Sequence, residues 1–130
     1  MSDFKLKDIL VVMRDTFKDV CPTIYTSERP KVVGENVNEF IVISLPVMLY
    51  NKTYGTGYGI TSSYARIEIF VRDVSGLEQL AKLDKYIQLC IDKFPINDDL
   101  MIMSRPRVVL SGSDGYGFHT ATIQASFLTK

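Results

Sequence analysis

An α+β fold, with two helices packed on one face of a mostly antiparallel sheet of four to five strands, is the class this sequence predicts. Three observations lead to it. Apolar residues recur at helical spacing in two separate segments, and between and after those segments the period changes to two. The resulting order is helix, short strand, long strand, long strand, helix, strand, strand. A chain of 130 residues falls in the commonest size range for one compact domain, and no composition shift, repeat or low-complexity run divides residues 1–130.

The first helix is carried by Leu6, Ile9, Leu10, Met13, Phe17 and Val20, with Lys5, Lys7, Asp8, Arg14, Asp15 and Lys18 on its other faces. Ser2 or Asp3 can cap it, and Pro22 stops it by pushing Cys21 out of the helical region. A short extended piece, "TIYTS", follows directly. In "EFIVISLPVMLYN", Ile41, Ile43, Leu45, Val47 and Leu49 share a face. In "SYARIEIFVRD", Ala65, Ile67, Ile69 and Val71 alternate with Tyr64, Arg66, Glu68, Phe70 and Arg72.

The second helix is expected in "SGLEQLAKLDKYIQLCIDKFP". Ser75 and Glu78 stand at the S-x-x-E spacing of a reciprocal cap, and Leu77, Leu80, Ala81, Asp84, Ile87, Cys90, Ile91 and Phe94 trace one stripe that ends at Pro95. "NDD" at 97–99 reads as solvated turn chemistry. The closing strands are "LMIMSRPRVVL" and "FHTATIQASFLT", the second with Ala121, Ile123, Ala125 and Phe127 on one face. The turn formers of "SGSDGYG" at 111–117 mark the hairpin between them. Pro46 and Pro106 each lack a ladder donor and belong at an edge or a bulge. The face away from the helices is expected to show a mixed polar set: Arg66, Glu68, Phe70, Arg72, Thr120, Thr122 and Gln124.

Composition excludes several function classes. Lysine plus arginine number 15 and aspartate plus glutamate 15, so no net field draws the chain to nucleic acid or anionic lipid. No apolar run approaches the roughly 18 residues that cross a bilayer, and no signal peptide opens the chain. Two cysteines, Cys21 and Cys90, are too few for a disulfide framework, which leaves a reducing, intracellular site of synthesis as the expectation. One histidine, two distant cysteines and scattered carboxylates (the "NDD" run and Asp114 among them) have no metal-ligand spacing, and no cofactor motif is present. A thiol nucleophile would need His119 as its base, and a lone pair of such residues is poor evidence for one.

The segment "YNKTYGTGYGITSSY", residues 50–64, sets Gly55, Gly57 and Gly59 among Tyr50, Tyr54, Tyr58 and Tyr64. As a phosphate loop it fails, because G-x-G-x-G here precedes a strand rather than a helix N-terminus and no lysine follows. As a stacking surface for single-stranded nucleic acid or a small ligand it has aromatics and the nearby Arg66 and Arg72, but no basic groove. As a long hairpin loop it is loose through glycine, and its tyrosines offer large amphipathic area at low entropic cost, which suits a protein contact. Arg66, Glu68 and Arg72 at period two fit either a solvated sheet face or a subunit contact in a ring.

The element order and several segments resemble the tail-completion and tail-terminator proteins of long-tailed phages and prophages, the gpU-like group at the head–tail joint. "IYTSERP" at 24–30, "EFIVIS" at 39–44, "ARIEIFVRD" at 65–73 and the closing "FHTATIQASFLT" carry the likeness, which spans nearly the whole chain. Phe40 stands where the family pattern has tyrosine, the proline before it is missing, and Phe70 takes a tryptophan-like place. The resemblance implies a virion structural protein, made in the bacterial cytoplasm, without catalysis. Its expected partners are copies of itself in a ring, commonly a hexamer, the major tail tube protein and the head–tail connector protein. No membrane is implied, and nucleic acid only as DNA passing through the ring. Tyr50, Tyr54, Gly55, Gly57, Tyr58, Gly59, Tyr64, Arg66, Glu68 and Arg72 are then the expected assembly surface.

Overall fold

A computed structural model describes residues 6–26, 34, 36–45, 50–51, 58–59, 63–75, 77, 79–99 and 101–129. The elements in chain order are α1 (Leu6–Phe17), β1 (Ile24–Thr26), β2 (Glu39–Ser44), β3 (Tyr50–Asn51), β4 (Tyr58–Gly59), β5 (Ser63–Arg72), α2 (Leu80–Ile91), β6 (Ile96–Asn97), β7 (Met101–Ser113) and β8 (Phe118–Thr129). The main sheet has six strands in the order β1-β2-β5-β8-β7-β6, and β3 and β4 form a separate two-stranded ladder. The α+β class and the mostly antiparallel pairing are as expected. The strand number is higher, because β6 is a two-residue edge that periodicity does not reveal, and β1 runs parallel to β2.

Both helices cover the same face. Ile9, Met13 and Phe17 of α1 and Leu83 and Cys90 of α2 close over Ile41, Ile43, Ala65, Ile67, Ile69, Ala121, Ile123 and Phe127, all buried. Alternation puts those strand residues on one side, and each buried aliphatic or aromatic side chain contributes about 1.5–3 kcal/mol. The first helix ends at Phe17, whose carbonyl accepts from the N–H groups of Val20 and Cys21, so Val20 is buried from a turn rather than from the helix.

The reciprocal cap expected at Ser75 is a correction. Ser75 has φ 53, Val74 and Leu77 bond each other across a tight turn, and α2 starts only at Leu80 with Gln79 at its cap position and no side-chain cap. The buried stripe shifts with it. Leu83, Tyr86, Ile87, Cys90, Ile91 and Phe94 meet the core, while Leu77, Leu80 and Asp84 face out. The "NDD" run divides similarly, Asn97 in β6 and Asp98 and Asp99 in the turn that follows.

Pro106 lies where expected, inside a register shift of β7 between Ser104 and Arg107. Pro46, Val47 and Leu49 lie outside the described residues, as do the capping candidates Ser2 and Asp3 and the cap partner Glu78. The β7–β8 hairpin is the expected one. Asp114 Oδ1 accepts from the N–H groups of Tyr116 and Phe118, and Gly117 at φ 90 makes a turn that L side chains enter only with strain.

A polar bracket ties α2 to β2. The Tyr86 hydroxyl donates to Glu39 Oε1 at 2.9 Å, and the Lys82 ammonium stands 2.9 Å from Oε2, at ion-pair distance but off the line of a hydrogen bond. Burial alone would raise the Glu39 carboxyl, yet Lys82 and Tyr86 outweigh it and hold the group below its ordinary value. Tyr86 is pushed up from 10.0 to about 12, by burial first and then by its hydrogen bond to Glu39 and that residue's charge.

The folded state therefore keeps the Tyr86 proton where the unfolded chain loses it. Its contribution to stability is complete below pH 10 and is lost as the pH rises from 10.0 through about 12. Urea midpoints at successive alkaline pH values should fall less steeply for Tyr86→Phe than for the parent; identical slopes would remove Tyr86 as the cause.

Candidate interaction face

The face of the sheet away from the helices is built by the alternate residues of β5 and their register partners. Tyr64, Arg66, Glu68, Phe70 and Arg72 stand opposite Ser126, Gln124, Thr122, Thr120 and Phe118 of β8. On the other side, Arg66, Glu68 and Phe70 stand opposite Ser44, Val42 and Phe40 of β2. Directly opposed residues of an antiparallel ladder project to the same face, so these rows form one surface.

One end of that surface is closed. Phe40 stacks on Phe70 with centroids 4.4 Å apart and planes 8° from parallel, and meets Phe118 edge-on at 5.1 Å and Tyr25 at 5.4 Å. With Val42 these phenylalanines form a second buried cluster, so the Phe70 end of the expected mixed polar face is buried and apolar. The Arg72 guanidinium lies 4.5 Å over the Phe118 ring, and its Nη2 donates to the carbonyls of Val37, at 2.9 Å, and Gly34, at 3.2 Å. Arg72 is thus spent holding Gly34 and Val37 within its own chain.

The middle of the face is polar but partly sealed. Thr120 and Thr122 are buried, Thr122 sharing a hydrogen bond with Ser111 at 3.1 Å and Thr120 donating to the Gly112 carbonyl at 3.2 Å. Arg66 Nε donates to Ser44 Oγ at 3.3 Å and stands 3.7 Å from Glu68 Oε1. Both Arg66 and Glu68 are half-buried.

The far end is open. Tyr64, 41% exposed, joins Arg105, Arg107, Gln124 and Ser126 around a recess of about 120 Å³. Arg105 and Arg107 were not part of the expected surface, although "SRPR" flags an irregularity by its proline; the bulge there turns the strand, and a bulge re-aims the side chains beside it.

Of the remaining expected residues, Tyr50 and Tyr58 and Gly59 form the small separate ladder, Tyr50 opposite Gly59 and Asn51 opposite Tyr58. Tyr54, Gly55 and Gly57 lie outside the described residues. The structure therefore brings Tyr64, Arg66, Glu68 and Arg72 onto one face and, within the tyrosine–glycine segment, pairs Tyr50–Asn51 with Tyr58–Gly59.

The thiols are remote from this face. Cys21 and Cys90 are both buried among the core side chains, and Cys21 Sγ sits 3.5 Å from the Thr23 carbonyl and 3.6 Å from that of Glu39. Burial pushes both thiols up, Cys90 to about 12. His119 Nδ1 is 2.7 Å from Asp73 Oδ1, a contact that ties the turn after β5 to the start of β8. Among the described residues no three His, Cys, Asp or Glu side chains stand together as metal ligands, and no helix is long and apolar enough to cross a membrane. Compared with known proteins, the chain matches no family model and no curated sequence.

Proposed function

We propose that the chain is a structural, non-catalytic assembly protein, a phage or prophage tail-terminator-like subunit that associates with copies of itself in a ring and docks a tail tube end to a head connector. The observation that carries this reading is the connection between β2 and β5. These strands are antiparallel neighbours, which a tight turn could join, yet residues 45–62 intervene and bring their own ladder of Tyr50–Asn51 against Tyr58–Gly59. A hairpin that the sheet does not need for closure, rich in tyrosine, is an arm suited to grip a neighbour. The row of Tyr64, Arg66 and Glu68 at the start of β5 follows that segment in sequence and supplies both signs of charge, which favours register between subunits over raw affinity.

Native mass spectrometry across a concentration series should show a closed oligomer, a hexamer being the expected size from the resemblance, with the tube and connector proteins as further binders. Replacing Tyr54 and Tyr58 together by serine should weaken association by about tenfold or more, since interface energy concentrates in a few aromatic anchors. A strict monomer, with tube protein present and at high concentration, would sink the proposal.

A further inference from the structure

The open end of the β5–β8–β7 face carries chemistry that assembly does not require. Arg107 of β7 stands opposite Gln124 of β8, which stands opposite Arg66 of β5, and one row away Ser104, Ser126 and Tyr64 are likewise in register. The recess of about 120 Å³ opens among Tyr64, Arg105, Arg107, Gln124 and Ser126. Among the described residues, no carboxylate lies within ion-pair distance of Arg105 or Arg107. On the far side of Gln124, only the Nε of Arg66 meets Ser44 and Glu68.

The backbone adds a second observation. Arg105 has φ 57, in the left-handed region, at the point where Pro106 shifts the register of β7. Had the bulge served only to bend the strand or blunt an edge, glycine or asparagine would adopt that conformation with less strain. Strain of this kind persists where surrounding structure holds it and collects at binding sites. Here it sets a guanidinium at the mouth of the recess.

We propose that this recess binds a single phosphate group, as the free ion or carried by a small phosphorylated molecule. Residues able to donate line the recess from three strands: Arg105 and Arg107 on β7, Gln124 and Ser126 on β8, and Tyr64 on β5. A tetrahedral oxyanion accepts from several directions, whereas a carboxylate accepts best near its own plane. A polynucleotide would need a track of positive positions along its backbone, which one recess on a chain of balanced charge does not supply. The site lies wholly within one chain and shares only Tyr64 with the proposed assembly row; phosphate binding is read on the single chain, whatever its oligomeric state.

Titration calorimetry of the intact chain with inorganic phosphate and with glycerol 3-phosphate tests the assignment, with a single-stranded oligonucleotide as a separate arm. One saturable site per chain is expected, in the millimolar range or tighter for the free ion, and tighter binding of the ester would identify a phosphorylated small molecule as the ligand. Arg107→Gln should weaken binding by about tenfold or more, as loss of a charge-assisted hydrogen bond does. Arg105→Gly should weaken it comparably without lowering the melting temperature, because glycine relaxes the backbone at that position; that variant separates binding from folding. Lys18→Gln, an exposed charge elsewhere, should leave it unchanged. Absence of saturation below about 10 mM phosphate would overturn the site, and so would affinity unchanged from the parent in both arginine variants. Oligonucleotide binding far tighter than phosphate and steeply salt-dependent would replace it with a nucleic-acid track.

Discussion

Truncating Phe40 to alanine should destabilise the protein by about 3–5 kcal/mol, the range for removing a buried phenylalanine and leaving a cavity. Phe40 is fully buried, stacks on Phe70 and is met edge-on by Phe118 and Tyr25. Its loss opens the cluster at the centre, where neighbours on three strands cannot collapse together because the ladders of β2, β5 and β8 fix their spacing. The Phe118 ring beneath the Arg72 guanidinium would also lose its edge-on support from Phe40, which loosens the platform from which Arg72 holds the Val37 and Gly34 carbonyls. Urea denaturation measures the change. Since about 3–5 kcal/mol is a large share of a domain's total stability, Phe40→Leu serves beside it, with an expected cost under about 1.5 kcal/mol. An alanine variant within about 1 kcal/mol of the parent would show that this face has no packed cluster.

Neither cysteine should react in the folded protein. Cys90 is pushed from the ordinary 9.0 to about 12, chiefly by burial and then by the nearby Cys21, so its thiolate fraction near pH 8 falls by about a thousandfold. Cys21 moves in the same direction, and its Sγ is turned toward the Thr23 and Glu39 carbonyls. Timed alkylation with iodoacetamide, read by intact mass, should find both thiols silent under native conditions and both modified in denaturant. Selective modification of one thiol in the native protein would contradict this burial and reopen a thiol-based chemistry.

The helix-covered core was legible in the sequence because period-two alternation in "ARIEIFV" and "HTATIQASF" assigns one face without knowing the strand order. The second cluster was not. Phe40 and Phe70 are out of phase with the aliphatic face, and nothing local says that Val37 packs against them with its carbonyl held by Arg72. The start of α2 misled for a related reason. Ser75 and Glu78 have the spacing of a cap, but the Val74–Leu77 turn, held near β8 by the Asp73–His119 contact, takes up Ser75 first. At the open end, Tyr64 and Arg66 were visible as strand residues, whereas Arg105 and Arg107 join them only through the β7–β8 register and a bulge that Pro106 signals without aiming.

The detour between β2 and β5 also bears on how such a chain can change over generations. The register of those two strands is set by their own facing residues, from Glu39 with Val71 to Ser44 with Arg66, and owes nothing to what the intervening segment spells. Loop length itself is thermodynamically cheap to alter. Insertions, deletions and wholesale exchange can accumulate there while the scaffold stays intact, so selection for a new binding mate can act on this module with little penalty elsewhere.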